Sequence, residues 1–330
     1  MILTRTPYRI SFFGGGTDYP EWFETHGGAV LGTSIDKYCW IACRKTLFSP
    51  RYRIVCSKVE ECDSIDEIRH PAVRECLRFM EIEGVEIHYW GDLPARSGMG
   101  SSSAFVVGLL HALRQMKGLK YEQLPIAEEA IHIERNVLKE NVGCQDQYLT
   151  CYGGFNRLQF KKGAPVERDS AMWDSRLDEL SDHLMLFYTG IERTASDVAS
   201  TYIKDFLKKE RTLFRLRDMV EEARAILWER KDLNEFGELL HESWELKKSL
   251  GAMVSTRVID GIYLTALGSG AIGGKLLGAG GGGFLLLFVP PEDQDPVRKC
   301  LMYQREEKVK EAPFEFEFTG STAIEVEDRI

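Results

Sequence analysis

The sequence predicts an α+β chain of two layers organised in two halves, and three observations carry that expectation. Short β-branched and aromatic runs punctuated by turns fill the first half, with "YCWIACRKT", "RYRIVCS" and "GVEIHYW" among them. The second half opens on a strand pattern, "DHLMLFYTG", and continues in long helical patterns. Two glycine tracts, "FFGGGTDYP" and "GAGGGG", lie against apolar strands, where a flexible linker has no purpose. Residues 1–180 are therefore expected as an N-terminal domain and 181–330 as a C-terminal one.

The strand and helix patterns follow in chain order. The runs at 38–46 and 51–57, separated by "LFSP", read as a hairpin. Residues 84–90 alternate Val85, Ile87 and Tyr89 with Glu86 and His88, as a half-buried strand does. "DLPARSGMGSSSAF" then turns into a helix from about 102 to 116 that is apolar nearly all round, hence buried. Residues 124–140 read as an amphipathic helix, and "GCQDQYLTCYGGFNRLQF" as a short helix, a Gly-Gly turn and a strand. Helices are expected over about 196–230, 232–250 and 257–269, a buried strand at 284–289, and a further strand at "FEFEF" in the second half.

Composition narrows the function. The chain has 330 residues, 44% hydrophobic and 28% charged, and a formal net charge of -9. An acidic surface does not displace the counterions of nucleic acid or of an anionic membrane, so neither partner is expected. No stretch approaches the roughly 18 apolar residues of a membrane span, and the start of the chain is broken by Arg5 and Arg9 too early for a secretory signal. A cytoplasmic protein is expected. Its eight cysteines form no C-x-x-C pair and no zinc spacing, and read as reduced packing residues.

The turn at 97–103 suits two roles. Free N–H groups at a helix start favour bound phosphate, Gly98 and Gly100 let backbone approach an anion, and Ser101, Ser102 and Ser103 can cap the helix or ligate magnesium. A plain serine N-cap explains the same residues. The turn is not a dinucleotide fingerprint, and Lys275 is followed by Leu276, so no Walker motif exists. On the 124–140 helix, Glu134 falls in the middle of the apolar face of Ile126, Ala127, Ala130, Ile131, Ile133, Val137 and Leu138. An inward carboxylate needs a cation, either an arginine or a bound Mg²⁺. Asp146 is either a helix cap or the group that accepts a proton from a substrate hydroxyl. Asp18 closes the first glycine tract, where a carboxylate suits sugar hydroxyls.

Taken together, "RISFFGGGTDYP", "PARSGMGSSSA" and "GGKLLGAGGGGF", in that order, resemble the three motifs of the GHMP kinase superfamily. The resemblance implies an N-terminal domain like part of ribosomal protein S5 and a C-terminal ferredoxin-like domain, with the active site between. It implies that Ser97, Gly98, Met99, Gly100, Ser101, Ser102 and Ser103 wrap the phosphates of ATP, and that Ser102 and Glu134 hold Mg²⁺. Asp146 matches the catalytic aspartate, with Arg9 beside it to stabilise developing charge. Gly15, Gly16, Thr17 and Asp18 would bind the sugar, and Gly280, Gly281 and Gly282 would close on phosphate and substrate.

Within the superfamily, "GGGTD", "HGGAVLGTSID", "YTGIERTAS" and "ESWELKKSL" look most like kinases of D-glycero-D-manno-heptose 7-phosphate, with L-fucokinases next. That likeness implies phosphorylation of the anomeric hydroxyl to a 1,7-bisphosphate, a step toward GDP-heptose for surface polysaccharide. A sugar phosphate acceptor needs cations for its distal phosphate, and Arg193, Lys247 and Lys248 are the candidates. Some superfamily members bind nucleotide and sugar as regulators without catalysis, a reading that the presence of Glu134, Asp146 and the serine turn argues against.

Overall fold

The computed structural model describes residues 1–49, 51–171, 174–192, 195–203, 206–303 and 309–326. Two antiparallel strands organise the larger sheet, β1 (Ile2–Phe13) and β2 (Gly28–Lys45). Strand β2 is long enough to serve three partners besides β1. Its first residues pair with β6 (Phe155–Phe160), its last with β5 (Val85–Gly91), and Ser34 and Ile35 between them with β12 (Phe316–Glu317). Beyond β5 lie β3 (Tyr52–Val55) and β4 (Val59–Cys62), β7 (Glu167–Ala171) flanks β6, and β13 (Thr322–Glu325) flanks β1.

The expected hairpin between the runs at 38–46 and 51–57 does not form. Strand β5 lies between them, antiparallel to β2 and parallel to β3, and β3 turns back on β4 instead. Val85 and Ile87 are fully buried. A strand with that much apolar surface takes a central position, and neighbourhood in sequence yields to it.

Helix α3 (Ser101–Met116) packs on β1 and β2, with α2 (Pro71–Phe79), α4 (Gln123–Ile131) and α5 (Gln145–Tyr152) around it. Every residue from Ser103 to Leu113 is buried, as the apolar pattern required. The single helix expected over 124–140 is divided: α4 gives way at His132 to one π-helical turn, His132–Val137. Such a turn inserts an extra residue per repeat and re-aims the side chains after it. Short α1 (Pro20–His26) follows the first glycine tract.

The smaller sheet is antiparallel throughout, in the order β11 (Lys310–Glu311), β8 (Leu184–Tyr188), β10 (Phe284–Phe288), β9 (Gly273–Leu276). Helix α6 (Ser175–Asp182) leads into it. The helical region expected over 196–230 contains α7 (Ala195–Ile203) and α8 (Glu210–Trp228). Helices α9 (Asn234–Ser249), α10 (Arg257–Leu267) and α11 (Gln294–Tyr303) complete this half.

The "FEFEF" strand differs from expectation in both length and place. Only Phe316 and Glu317 are strand, and they pair with β2 in the larger sheet, so the end of the chain returns to the first half. Buried Thr6, Ser321 and His111 fasten that return, with Ser321 Oγ 2.8 Å from Thr6 Oγ1 and 2.9 Å from His111 Nδ1. The halves also share an aromatic core: Phe236 of α9 meets Phe12 and Phe13, at ring distances of 5.6 and 5.1 Å. That junction, at the end of β1, sets the walls of a cleft.

Candidate active site

The cleft, about 1010 Å³ including its open mouth, lies where β1, the 97–103 turn, the start of α5 and the 277–283 tract converge. Strand β1 delivers Arg9, whose backbone N–H donates to Met99 O at 3.1 Å. Its guanidinium is almost fully buried and grips Asp146 with two parallel bonds, Nε to Oδ1 at 2.8 Å and Nη2 to Oδ2 at 2.7 Å. The third donor, Nη1, reaches Gly98 O at 2.7 Å. One arginine thus fixes both the catalytic candidate and the glycine-serine turn, as its planar fork allows. Asp146 sits in the first turn of α5 without capping it, since Cys144 occupies the N-cap position. The capping alternative for Asp146 falls away.

Asp18 is fully buried, and burial raises its pKa, with the nearby charge of Asp146 adding to the effect. Its Oδ1 accepts from Gly16 N–H at 3.0 Å and its Oδ2 from Gln145 N–H at 3.3 Å. Gly143 makes room for it: a Cβ there would stand 1.8 Å from Asp18 Oδ2. Gly15, Gly16 and Asp18 line the cleft. Thr17 does not; its buried hydroxyl lies 2.8 Å from Gly14 O and 2.9 Å from Ala29 O and pins the turn between β1 and β2.

Of the serine turn, Gly98, Gly100, Ser101 and Ser102 face the cleft. Ser97, Met99 and Ser103 point into the protein. Ser97 O accepts Phe284 N–H at 3.1 Å, which ties the turn to β10. Ser103 Oγ donates to Glu134 Oε2 at 2.8 Å, so the hydroxyl in contact with Glu134 is that of Ser103, while Ser102 is exposed to the cleft. Glu134 is fully buried, and burial pushes its carboxyl up to about 7 against the lowering effect of hydrogen bonds from Gln147 and Ser103. Its Oε1 is buried without a partner. Among the described residues no arginine or lysine pairs with it, so the arginine alternative falls away. Glu134 does not itself line the cleft; a buried carboxylate with one bare oxygen, bonded to the Ser103 hydroxyl next to Ser102 of the cradle, is a donor set that fits a magnesium ion completed by substrate oxygens. Among the described residues no group of three or more His, Cys, Asp or Glu assembles into a protein-only metal site.

The serine turn and the second glycine tract are pressed together. A Cβ on Gly278, whose φ is +70°, would lie 2.5 Å from Gly98 Cα, so the backbones meet without side chains between. Gly280 and Gly282 line the cleft, and Gly281 N–H donates to Val254 O at 2.9 Å. Lys247 also lines it, buried, with Nζ donating to Leu276 O at 3.3 Å and to Gly278 O. Burial, then the charge of Arg9, brings its ammonium down to about 8, opposed by Asp18 and Asp146. Lys248 turns away to Glu245 at 2.6 Å and is not part of the cleft wall. Arg193 lies outside the described residues.

Further cleft residues escaped the sequence reading, among them Lys275, Arg96, Gln145 and Tyr19. Lys275 carried a signal, because a lysine inside the apolar run before a glycine tract is out of place on a buried strand. Gln147, behind the wall, donates to Glu134 Oε2 one residue after Asp146. Nothing in the local pattern marks Arg96 or Tyr19.

Comparison with known proteins bears on the family of the chain. The family model for the GHMP kinases N terminal domain matches residues 68–154 and that for GHMP kinases C terminal matches 219–304. D-glycero-alpha-D-manno-heptose 7-phosphate kinase of Campylobacter jejuni is 30% identical over 91% of this chain and 93% of its own length. L-fucokinase/L-fucose-1-P guanylyltransferase of Bacteroides fragilis is 26% identical over 91% of this chain, which spans 36% of that larger protein. Among solved structures, a D-glycero-D-manno-heptose 1-phosphate kinase from Bacteriodes thetaiotaomicron superposes with a TM-score of 0.81 at 23% identity, covering 99% of this chain and 100% of that one. Two family domains in the right order, a full-length relative and a shared fold leave one conclusion: this chain belongs to the GHMP kinases, a family of ATP-dependent phosphotransferases.

Proposed function

We propose that the chain transfers the terminal phosphoryl group of ATP to the anomeric hydroxyl of D-glycero-D-manno-heptose 7-phosphate, giving the 1,7-bisphosphate, toward GDP-heptose for surface polysaccharide. The observation that carries the chemistry is the bidentate Arg9–Asp146 pair, held against Gly98 of the phosphate turn and opening on the same cleft as Asp18. Gly98, Gly100, Ser101 and Ser102 cradle the triphosphate at the start of α3. Ser102 and Glu134, the latter steadied by Ser103, would hold Mg²⁺, which when bound offsets charge on the phosphates. Asp18 and the backbone of Gly15 and Gly16 bind sugar hydroxyls, and the tract from Gly280 to Gly282 closes over them.

In the transfer, Asp146 orients the anomeric hydroxyl and takes its proton as that oxygen bonds the γ-phosphorus. The bond from phosphorus to the bridging oxygen breaks, and ADP leaves with its electron pair. Arg9 keeps Asp146 aimed through its two parallel hydrogen bonds. The choice of acceptor rests on the likeness to the Campylobacter jejuni kinase across nearly the whole of both chains.

The test is ADP release over a panel of heptose 7-phosphate and derivatives of fucose, galactose and mannose. Heptose 7-phosphate should give the highest kcat/KM; a neutral sugar in first place overturns the acceptor, and silence on every sugar points to a binding regulator. Asp146→Asn should lower kcat by about 10³-fold or more while ATP affinity stays within about threefold, since base removal leaves the cradle intact. Lost nucleotide affinity with normal turnover would remove Asp146 from the chemistry.

A further inference from the structure

Two lysines of the C-terminal half stand in the cleft wall without a counterion. Lys247 of α9 is 9% exposed and Lys275 of β9 is 3% exposed, and both line the cleft. Among the described residues neither pairs with a carboxylate. Lys275 Nζ donates to Phe12 O at 2.7 Å, and Lys247 Nζ to the carbonyls of Leu276 and Gly278. An ammonium has three donors, so Lys275 retains two and Lys247 one. Cations in this wall outnumber carboxylates, with Arg9, Arg96, Lys247 and Lys275 against Asp18 and Asp146. Burying unpaired ammonium groups is costly, and the cost falls when an anion enters.

Their place in the cleft identifies the anion. Lys247 donates to Gly278 O, Gly278 touches Gly98, and Gly98 O accepts from Arg9, which grips Asp146. Lys275 reaches Phe12 on the same strand as Arg9. Burial, then the charge of Arg9, lowers the Lys247 pKa, and burial, then the charges of Lys247 and Arg9, lowers that of Lys275, so an anion entering between them favours their charged forms. They therefore flank the reacting groups, whereas the distal phosphate of a seven-carbon acceptor lies at the far end of the sugar from its anomeric hydroxyl.

We propose that Lys247 and Lys275 are catalytic cations of the C-terminal wall, holding the oxygens of the phosphoryl group in transit opposite Arg9. The inference rests on the reading of Asp146 as the residue at the reacting hydroxyl. As the bond to the ADP oxygen breaks and the bond to the anomeric oxygen forms, negative charge spreads over the three peripheral oxygens, and preorganised ammonium groups meet it. This differs from a distal-phosphate role for Lys247, and it gives Lys275 a function.

The experiment compares Lys247→Met, Lys275→Met and the charge-retaining Lys247→Arg in the full chain. Binding of ADP with Mg²⁺, alone and with aluminium fluoride as a mimic of the transferring group, is measured by calorimetry. Steady-state kinetics are measured on phosphorylated and unphosphorylated sugar acceptors. Each Met variant should weaken ADP–aluminium fluoride binding by about 30-fold or more and leave ADP alone within about threefold, and should lower kcat by about 10²-fold on both acceptors, as loss of a transition-state donor does. Lys247→Arg should recover part of both losses. A rise in KM confined to the phosphorylated acceptor, or unchanged fluoride binding in both Met variants, overturns the proposal. Should Lys275→Met fail to fold for want of a donor to Phe12 O, the Lys247 pair decides. An active Asp146→Asn refutes the reading of the base, whereas fluoride binding still reports on the lysines.

Discussion

Glu134 shows how much a single side chain depends on its neighbours. Its Oε2 takes hydrogen bonds from Ser103 of α3 and Gln147 of α5, and Oε1 is left bare. Sequence periodicity put a carboxylate on an apolar face. It gave no sign of Gln147, because residues 134 and 147 lie on separate elements. Three successive residues of α5 each steady a different charged group: the Gln145 backbone holds Asp18, Asp146 holds Arg9, and Gln147 holds Glu134. Replacing Gln147 with Leu should weaken Mn²⁺ binding, read by electron spin resonance, by about 10-fold or more, the usual consequence of losing a hydrogen bond behind a metal ligand. ADP affinity without the cation should stay within about threefold. Unchanged Mn²⁺ affinity would make Gln147 a packing residue only.

At the level of elements, local pattern and long-range pairing part company. Helix α3 was legible because its apolar run and glycine start are local. The misread hairpin and the relocated "FEFEF" strand are failures of pairing, which sequence neighbours do not decide. The terminal return depends on His111, buried beneath Ser321 and stacked on Tyr121. Burial, then the charge of Arg114, lowers its pKa to about 4. The folded protein thus holds neutral histidine while the unfolded chain protonates near the ordinary value of about 6.5. Its contribution is fully present above about 6.5 and is lost as pH falls toward about 4, at up to about 1.4 kcal/mol per pH unit. His111→Gln should flatten that part of the profile, seen as a smaller change in denaturant midpoint between pH 7 and pH 4.5 than in the parent protein. Parallel profiles would show that His111 does not titrate on unfolding.

For the whole molecule, the site exists only because two sheets meet. Arg9, Asp18, Asp146 and the serine turn come from one half, and Lys247, Lys275 and the second glycine tract from the other. Their joint is the contact of Gly278 with Gly98. Gly278→Ala adds a methyl into that contact at a positive φ, which alone costs about 1–2 kcal/mol. It should lower kcat/KM for ATP by about 10-fold or more as the serine turn and the second tract separate. Gly118→Ala is the control: φ there is also +70°, with nothing within 4 Å of the added Cβ. It should lower melting temperature and leave kcat/KM unchanged. Equal kinetic losses in both would assign the effect to backbone strain rather than to the joint.

The sequence by itself determined the fold class, the three glycine motifs, and the acidic and basic candidates for the cleft, because each is a short run whose chemistry depends on near neighbours. Tertiary structure decided which of those groups face the cleft. It turned Thr17, Ser97, Met99, Ser103 and Lys248 away and brought Lys275 and Arg96 in. A π-helical turn and the passage of β5 between β2 and β3 are resolved by burial across the whole core, and burial is a property of surfaces that meet only after the chain has folded.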